Sequence, residues 1–180
     1  MIPLRQSVGG LGNILFKEAY IRAQHVKGLI PDVYVQDEKY FEDIKDELKA
    51  FFRLGSKPND YVVIHVRRGD YVDNPFYVDL MKTDYYQKAM AMFPGGKFIV
   101  ISDDLEWCTQ QDIFERCEFI FGKSELDDLN LMIGAKAVIM ANSSFSWWGA
   151  YLSNGIVIAP KQWHPDGVIR TVIPERFIKI

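Results

Sequence analysis

The sequence predicts an α/β fold built on an open, doubly wound parallel sheet. Three observations carry that expectation. Five short apolar runs recur from position 61 onward, at 61–66, 97–101, 118–121, 137–140 and 156–159. Each holds apolar and mostly β-branched residues at consecutive positions, as strands covered on both faces do. Between the runs lie segments with helical spacing, so the order reads βαβαβαβαβ and the strands pair in parallel.

The elements follow in chain order. Gly9-Gly10-Leu11-Gly12-Asn13 precedes a helical pattern that runs to about Lys27, with Gly28 as its cap. Phe41, Ile44, Leu48 and Phe51 fall three, four and three apart, which predicts an amphipathic helix over about 40–53. The stretch 55–60 is a loop of Gly, Ser, Lys, Pro, Asn and Asp. It divides the chain into 1–55, a glycine loop with two helices, and 56–180, the sheet. After the first run a helix is expected near Thr83, carrying Tyr86, Met90 and Phe93 on one side. A second starts after Asp103 or Asp104. A third starts at Ser124, where Asp127 three residues on makes a capping box. The fourth spans about 144–153, stops at Asn154-Gly155 and carries Trp147-Trp148, read as core.

Composition narrows the class. The 180 residues suit one domain with a sizeable core, or one domain and a small appendage. A formal charge of −3 argues against a general nucleic-acid binder, so phosphate recognition has to come from local cations. Two cysteines nine positions apart, Cys108 and Cys117, with three histidines and no CxxC, exclude a disulfide scaffold and argue against structural zinc. Reduced thiols, and no apolar run of membrane-spanning length or leader-like start, give a cytoplasmic expectation.

In doubly wound sheets ligands bind beyond the carboxyl ends of the strands. Three groups fall on that rim: Arg67-Arg68-Gly69-Asp70 after the first run, Ser102-Asp103-Asp104 after the second, and Asn142-Ser143-Ser144 after the fourth. Arg67 and Arg68 read either as a bidentate clamp on a diphosphate or as a structural ion pair with nearby carboxylates. Ser143 and Ser144 open a helix, where backbone amides favour an anion and a hydroxyl also serves as a plain cap. Counted from Gly9 or from Gly10, G-x-G-x-x-G fails, and G-x-x-x-x-G-K-[ST] is absent. Asp103-Asp104 and Asp127-Asp128 are adjacent pairs that point different ways, a poor metal clamp. No metal site is expected.

Together the motifs resemble those of the α-1,2-fucosyltransferases, glycosyltransferase family 11. His65-Val66-Arg67-Arg68-Gly69-Asp70-Tyr71 is similar to that family's H-x-R-R-G-D-Y, and the run from Asn142 to Ala150 to its N-S-S-F-S-W-W-G-A. Gly9 to Asn13 and Tyr34 to Phe41 resemble its G-G-L-G-N and Y-F-Q-x-x-K-Y-F segments. After Asn13 the chain departs from the family pattern, with Ile14-Leu15-Phe16-Lys17 where Gln-Met-Phe-Gln is usual.

The resemblance implies a Rossmann-like domain of the GT-B type and inverting, metal-independent transfer of fucose from GDP-β-L-fucose to a galactoside hydroxyl in α-1,2 linkage. The alternative is a nucleotide-sugar-binding module without catalysis. By resemblance, Arg67 and Arg68 hold the diphosphate, and Asp70 is a candidate base that equally braces the arginines. His65 and Asp128 contact the nucleoside, and Asn142, Ser143, Ser144 and Phe145 line the phosphate and sugar pocket. Asp103 is a weaker match to the donor site, and Gly10 and Asn13 approach it from the first part. No cofactor is implied beyond the donor substrate. The implied partners are the GDP-sugar, a glycan or galactoside acceptor, and a further copy of the chain completing the acceptor site. That last expectation arises because most of the family's N-terminal acceptor domain is missing between the first helix and Tyr34.

Overall fold

The computed structural model describes residues 11–27, 37–51 and 59–180. Gly9 and Gly10, the Gly28 cap, Tyr34 to Gln36 and the 55–58 loop lie outside them, so the expectations placed there are not addressed. Six parallel strands form one sheet: β1 (Asn59–Val66), β2 (Phe98–Ser102), β3 (Glu118–Phe119), β4 (Ala135–Ile139), β5 (Ile156–Ala159) and β6 (Ile178–Lys179). Their order is β3-β2-β1-β4-β5-β6. This is the Rossmann arrangement, with the chain winding outward from β1 in one direction and from β4 in the other. β6 is an addition to the five expected strands. At two residues it is too short to leave a pattern in the sequence.

Alternation along the strands sorts the core into two layers. Val63, Ile99, Ile101, Val138 and Met140 face one side, under α1 (Leu11–Lys27), α2 (Lys45–Phe51), α5 (Glu125–Ile133) and α6 (Ser144–Leu152). Val62, Ile64, Val66, Val100 and Ile139 face the other, with α3 (Tyr85–Ala91) and α4 (Leu105–Cys108). All ten of these strand residues are buried. With both faces covered, the strands need continuous apolar runs, which is why the pattern was readable.

The helix starts and stops follow local chemistry. Ser124 caps α5 with its hydroxyl on the Asp127 amide, and the Asp127 carboxylate returns to the Ser124 amide, the expected capping box. Asp104 caps α4 through Oδ1 on the Trp107 amide at 3.2 Å. The helix expected over 40–53 is shorter. Two 3₁₀ turns, Glu38–Tyr40 and Glu42–Ile44, come first, and α2 begins only at Lys45. Asp37 caps the first turn, and Phe41 breaks the run with an extended φ of −140°. Phe41, Ile44 and Leu48 are still buried, as their spacing requires.

Trp147 and Trp148 are fully buried. They pack with Phe16, Phe41 and Tyr151, with ring centroids 4.6–6.1 Å apart. This aromatic cluster joins α1 and the 3₁₀ turns before α2 to α6. Gly12 permits the approach. A Cβ there would overlap the Phe145 backbone nitrogen, so α1 rests backbone to backbone on the first turn of α6. Among the described residues no helix is long and apolar enough to cross a membrane.

Candidate active site

The strand order reverses between β1 and β4, and a cavity of about 990 Å³ opens outside their carboxyl ends. Two walls of different chemistry enclose it.

The first wall is charged. Arg67 leaves the end of β1 and is held from both sides, by Asp103 Oδ2 at 3.0 Å from Nη1 and by Asp70 Oδ1 at 2.5 Å from Nη2. Burial alone would lower the pKa of the Arg67 guanidinium, but the two carboxylates outweigh it and the pKa is raised. Asp103 has a second task, accepting the Arg68 backbone N–H through Oδ1 at 2.8 Å. Gly69 adopts a φ of +23° at this turn, and a Cβ there would collide with the Asp103 carboxylate. Arg67 is thus a fixed cation, oriented before any ligand arrives.

Around it, His65, Ser143, Ser144, Phe145 and Asn13 face the same space. His65 is 4 % exposed, and its Nδ1 is buried with no partner among the described residues. Burial, and then the charge of Arg67, push its pKa down to about 3, so the ring is neutral. An unpartnered buried ring nitrogen is costly unless a ligand completes it. Ser143 is the N-cap residue of α6, yet its side chain makes no capping hydrogen bond. Its hydroxyl is available to the cavity. The first turns of α1 and α6 both line this wall, which adds backbone N–H groups and the positive ends of two helices. Asp128 stands on α5, with Lys123 and Glu125 beside it in the lining. Burial first, then Asp127 and Glu125, raise its pKa to about 6 against the opposing charge of Lys123.

The second wall is aromatic, and its residues are not among those the sequence singled out. Phe76, Tyr77, Trp163 and His164 face the cavity, with Arg170 at the end. Tyr77 stacks on Tyr71 at 3.7 Å with an interplanar angle of 8°. His164 sits 4.6 Å from Phe76 and 5.5 Å from Tyr77, ring to ring. Arg170 lies 4.8 Å over Phe76 and is paired in a two-bond fork with Asp166. The strand-end rule, applied to the residues after the fifth run, would have reached Trp163 and His164, whereas Phe76 and Tyr77 sit ten and eleven residues past the first run and carry no such signal.

Of the residues expected at the site, His65, Arg67, Asp70, Asp103, Asp128, Ser143, Ser144, Phe145 and Asn13 are brought together. Arg68 and Asn142 are not. The Arg68 guanidinium lies 3.6 Å over the ring of Trp107. With Asn142 and Arg67 it lines a small neighbouring pocket instead. Asn142 is 2 % exposed, and its amide donates to Val78 O at 2.9 Å and Trp163 O at 3.1 Å. It holds the loops behind the aromatic wall together rather than reaching a ligand. Among the described residues no group of three or more His, Cys, Asp or Glu is placed to hold a metal ion.

The sequence compared with known proteins decides what this cavity belongs to. Residues 28–171 match the model of glycosyl transferase family 11. The chain belongs to that family. The family 11 chain is 36 % identical over 179 residues to an alpha-1,2-colitosyltransferase of Escherichia coli, a match covering 81 % of this chain and 60 % of that protein. It is 27 % identical to the O-antigen biosynthesis glycosyltransferase WbnK of Escherichia coli, covering 82 % and 53 %. Galactoside alpha-(1,2)-fucosyltransferase 2 of Rattus norvegicus is 30 % identical, over 65 % of this chain and 38 % of its own length. Among solved structures, KpsC, a beta Kdo 2,7 transferase of Thermosulfurimonas dismutans, aligns with a TM-score of 0.44 at 16 % identity, over 77 % and 48 % of the two chains. The family 11 chain thus spans about half the length of the curated relatives it matches.

Proposed function

We propose that the protein transfers fucose from GDP-β-L-fucose to a galactoside hydroxyl, in α-1,2 linkage, with inversion and without a metal. The observation that carries this reading is Arg67, a cation fixed between Asp103 and Asp70 at the reversal of the sheet, opposite the start of α6. Breaking a fucosyl–phosphate bond leaves negative charge on the β-phosphate. A guanidinium already in place, with helix amides and the Ser143 hydroxyl, stabilises that charge where it develops. These groups give the charge compensation that a divalent cation supplies in other transferases. The names of the relatives, two of them alpha-1,2 transferases, support the linkage and the sugar class. His65 and Asp128, which line the same cavity, are read as the nucleoside contacts, and the neutral imidazole offers a hydrogen bond without repelling Arg67.

The length relation favours one second reading, a nucleotide-sugar-binding module without catalysis. Radiolabelled fucose transfer from GDP-fucose to lactose separates the two. Transfer is expected, and 5 mM EDTA is expected to leave its rate within twofold. GDP binding without transfer to any galactoside supports the module. A rate abolished by EDTA and restored by a divalent ion removes the metal-independent mechanism.

A further inference from the structure

We infer that the aromatic wall is the acceptor-sugar seat and that His164 Nε2 receives the proton of the reacting hydroxyl. The inference rests on the transferase reading above and places the acceptor within the sheet region, with no further copy of the chain needed to complete its wall.

The wall is built for a ligand. Phe76 and Tyr77 present ring surface to the cavity, and Phe76 is 46 % exposed, although it is large and apolar. A pyranose has one face of C–H groups, and laying it on such rings removes apolar surface from water on both partners. Trp163 lines the same cavity beside them, with its indole Nε1 enclosed in the protein.

His164 is oriented as a base would be. It is 5 % exposed, and its Nδ1 lies 2.9 Å from the Phe76 carbonyl oxygen. A carbonyl oxygen only accepts, so Nδ1 carries the hydrogen and donates. In the neutral ring Nε2 then holds the lone pair. Among the described residues Nε2 has no hydrogen-bond partner, and it is not one of the fully enclosed polar atoms. His164 lines the cavity that Arg67 also lines. The step balances. The acceptor O–H proton passes to Nε2, the acceptor oxygen bonds to C1 of fucose, and the C1–O bond to the β-phosphate breaks with its electron pair leaving on GDP. Asp70, the earlier candidate base, has its carboxylate on Arg67 instead.

The test uses the full chain loaded with GDP, methyl β-galactoside as probe, saturation-transfer NMR for its binding, and calorimetry for GDP. Tyr77→Ala is expected to weaken galactoside binding at least tenfold with GDP affinity within twofold. His164→Ala is expected to keep GDP affinity within twofold, lose at least 100-fold in transfer at saturating galactoside, and regain part of it with added imidazole. Should Tyr77→Ala fail to fold, Phe76→Ala carries the same comparison. Unchanged galactoside binding in Tyr77→Ala, or in Phe76→Ala where it stands in, overturns the seat. Transfer retained by His164→Ala, or absent from a wild-type protein that binds both ligands, overturns the proton-acceptor role. Loss of GDP affinity in both variants assigns the wall to the donor and overturns both. A wild-type protein that binds no GDP fails earlier, in calorimetry alone, and removes the donor reading instead.

Discussion

The two walls of one cavity are made in opposite ways. The charged wall hangs on regular elements: Arg67 at the end of β1, Asp103 at the end of β2, and Ser143 and Ser144 at the start of α6. Their positions are fixed by strand register, so the charge geometry is as rigid as the sheet. The aromatic wall hangs on irregular chain, 71–79 and 160–171, and its order comes from ring stacking and from hydrogen bonds to backbone carbonyls, the Val78 N–H donating to Trp163 O among them. On the proposed reading, a fixed field suits a diphosphate leaving group, and stacked loops suit the acceptor.

Substitutions on either side put that contrast to work. The largest effect is expected from Arg67→Ala. It removes the cation and leaves Asp103 and Asp70 facing a diphosphate, so GDP affinity measured by calorimetry should fall by about 2–5 kcal/mol. Galactoside binding on the opposite wall should stay within a few fold. Equal GDP affinity in a folded variant would falsify the division of labour.

Gly12→Ala acts at the seam between α1 and α6. The new Cβ meets the Phe145 backbone, and the two helices have to separate. A cost of roughly 1–3 kcal/mol follows, read as a fall of several degrees in Tm. An unchanged melting temperature would mean that α1 does not bear on the charged wall.

The smallest effect concerns Asp128. Its carboxyl pKa is raised from 3.8 to about 6 in the folded protein, so the folded state holds this proton more tightly than the unfolded chain. Stability from this group therefore declines as pH rises from about 4 to about 6 and is flat above. Asp128→Asn removes the charge, and its Tm should exceed that of the wild type at pH 7.5 but not at pH 4. The gain is below about 1 kcal/mol, since solvent reaches half of the side chain. The same Tm difference at both pH values would show that the carboxylate is not desolvated.

Much of the charged wall was legible in the sequence. Val62 to Ile64 and Ile99 to Ile101 are continuous apolar runs because both faces of the sheet are covered, and the rim residues follow from where those strands stop. Ser124 and Asp127 signalled a helix start at their spacing alone. Arg68 shows where such reading ends, because its contact with Trp107 is made across the fold and leaves no spacing in the sequence. Asn142 falls outside the large cavity for the same reason, since its amide meets the carbonyls of Val78 and Trp163, 64 and 21 positions away. The aromatic wall left no periodic trace, since Phe76, Tyr77, Trp163 and His164 belong to irregular chain whose neighbours are set by the fold.

Asn142 carries a consequence for the ligand. It braces one wall through its side chain, and the next residue in the chain, Ser143, lines the other. A single peptide link therefore sets the gap across the cleft, like the fixed jaw of a gauge. On the proposed reading, a donor and an acceptor would meet there at a separation written into the backbone, and a molecule of the wrong length would not be met by sliding one wall alone.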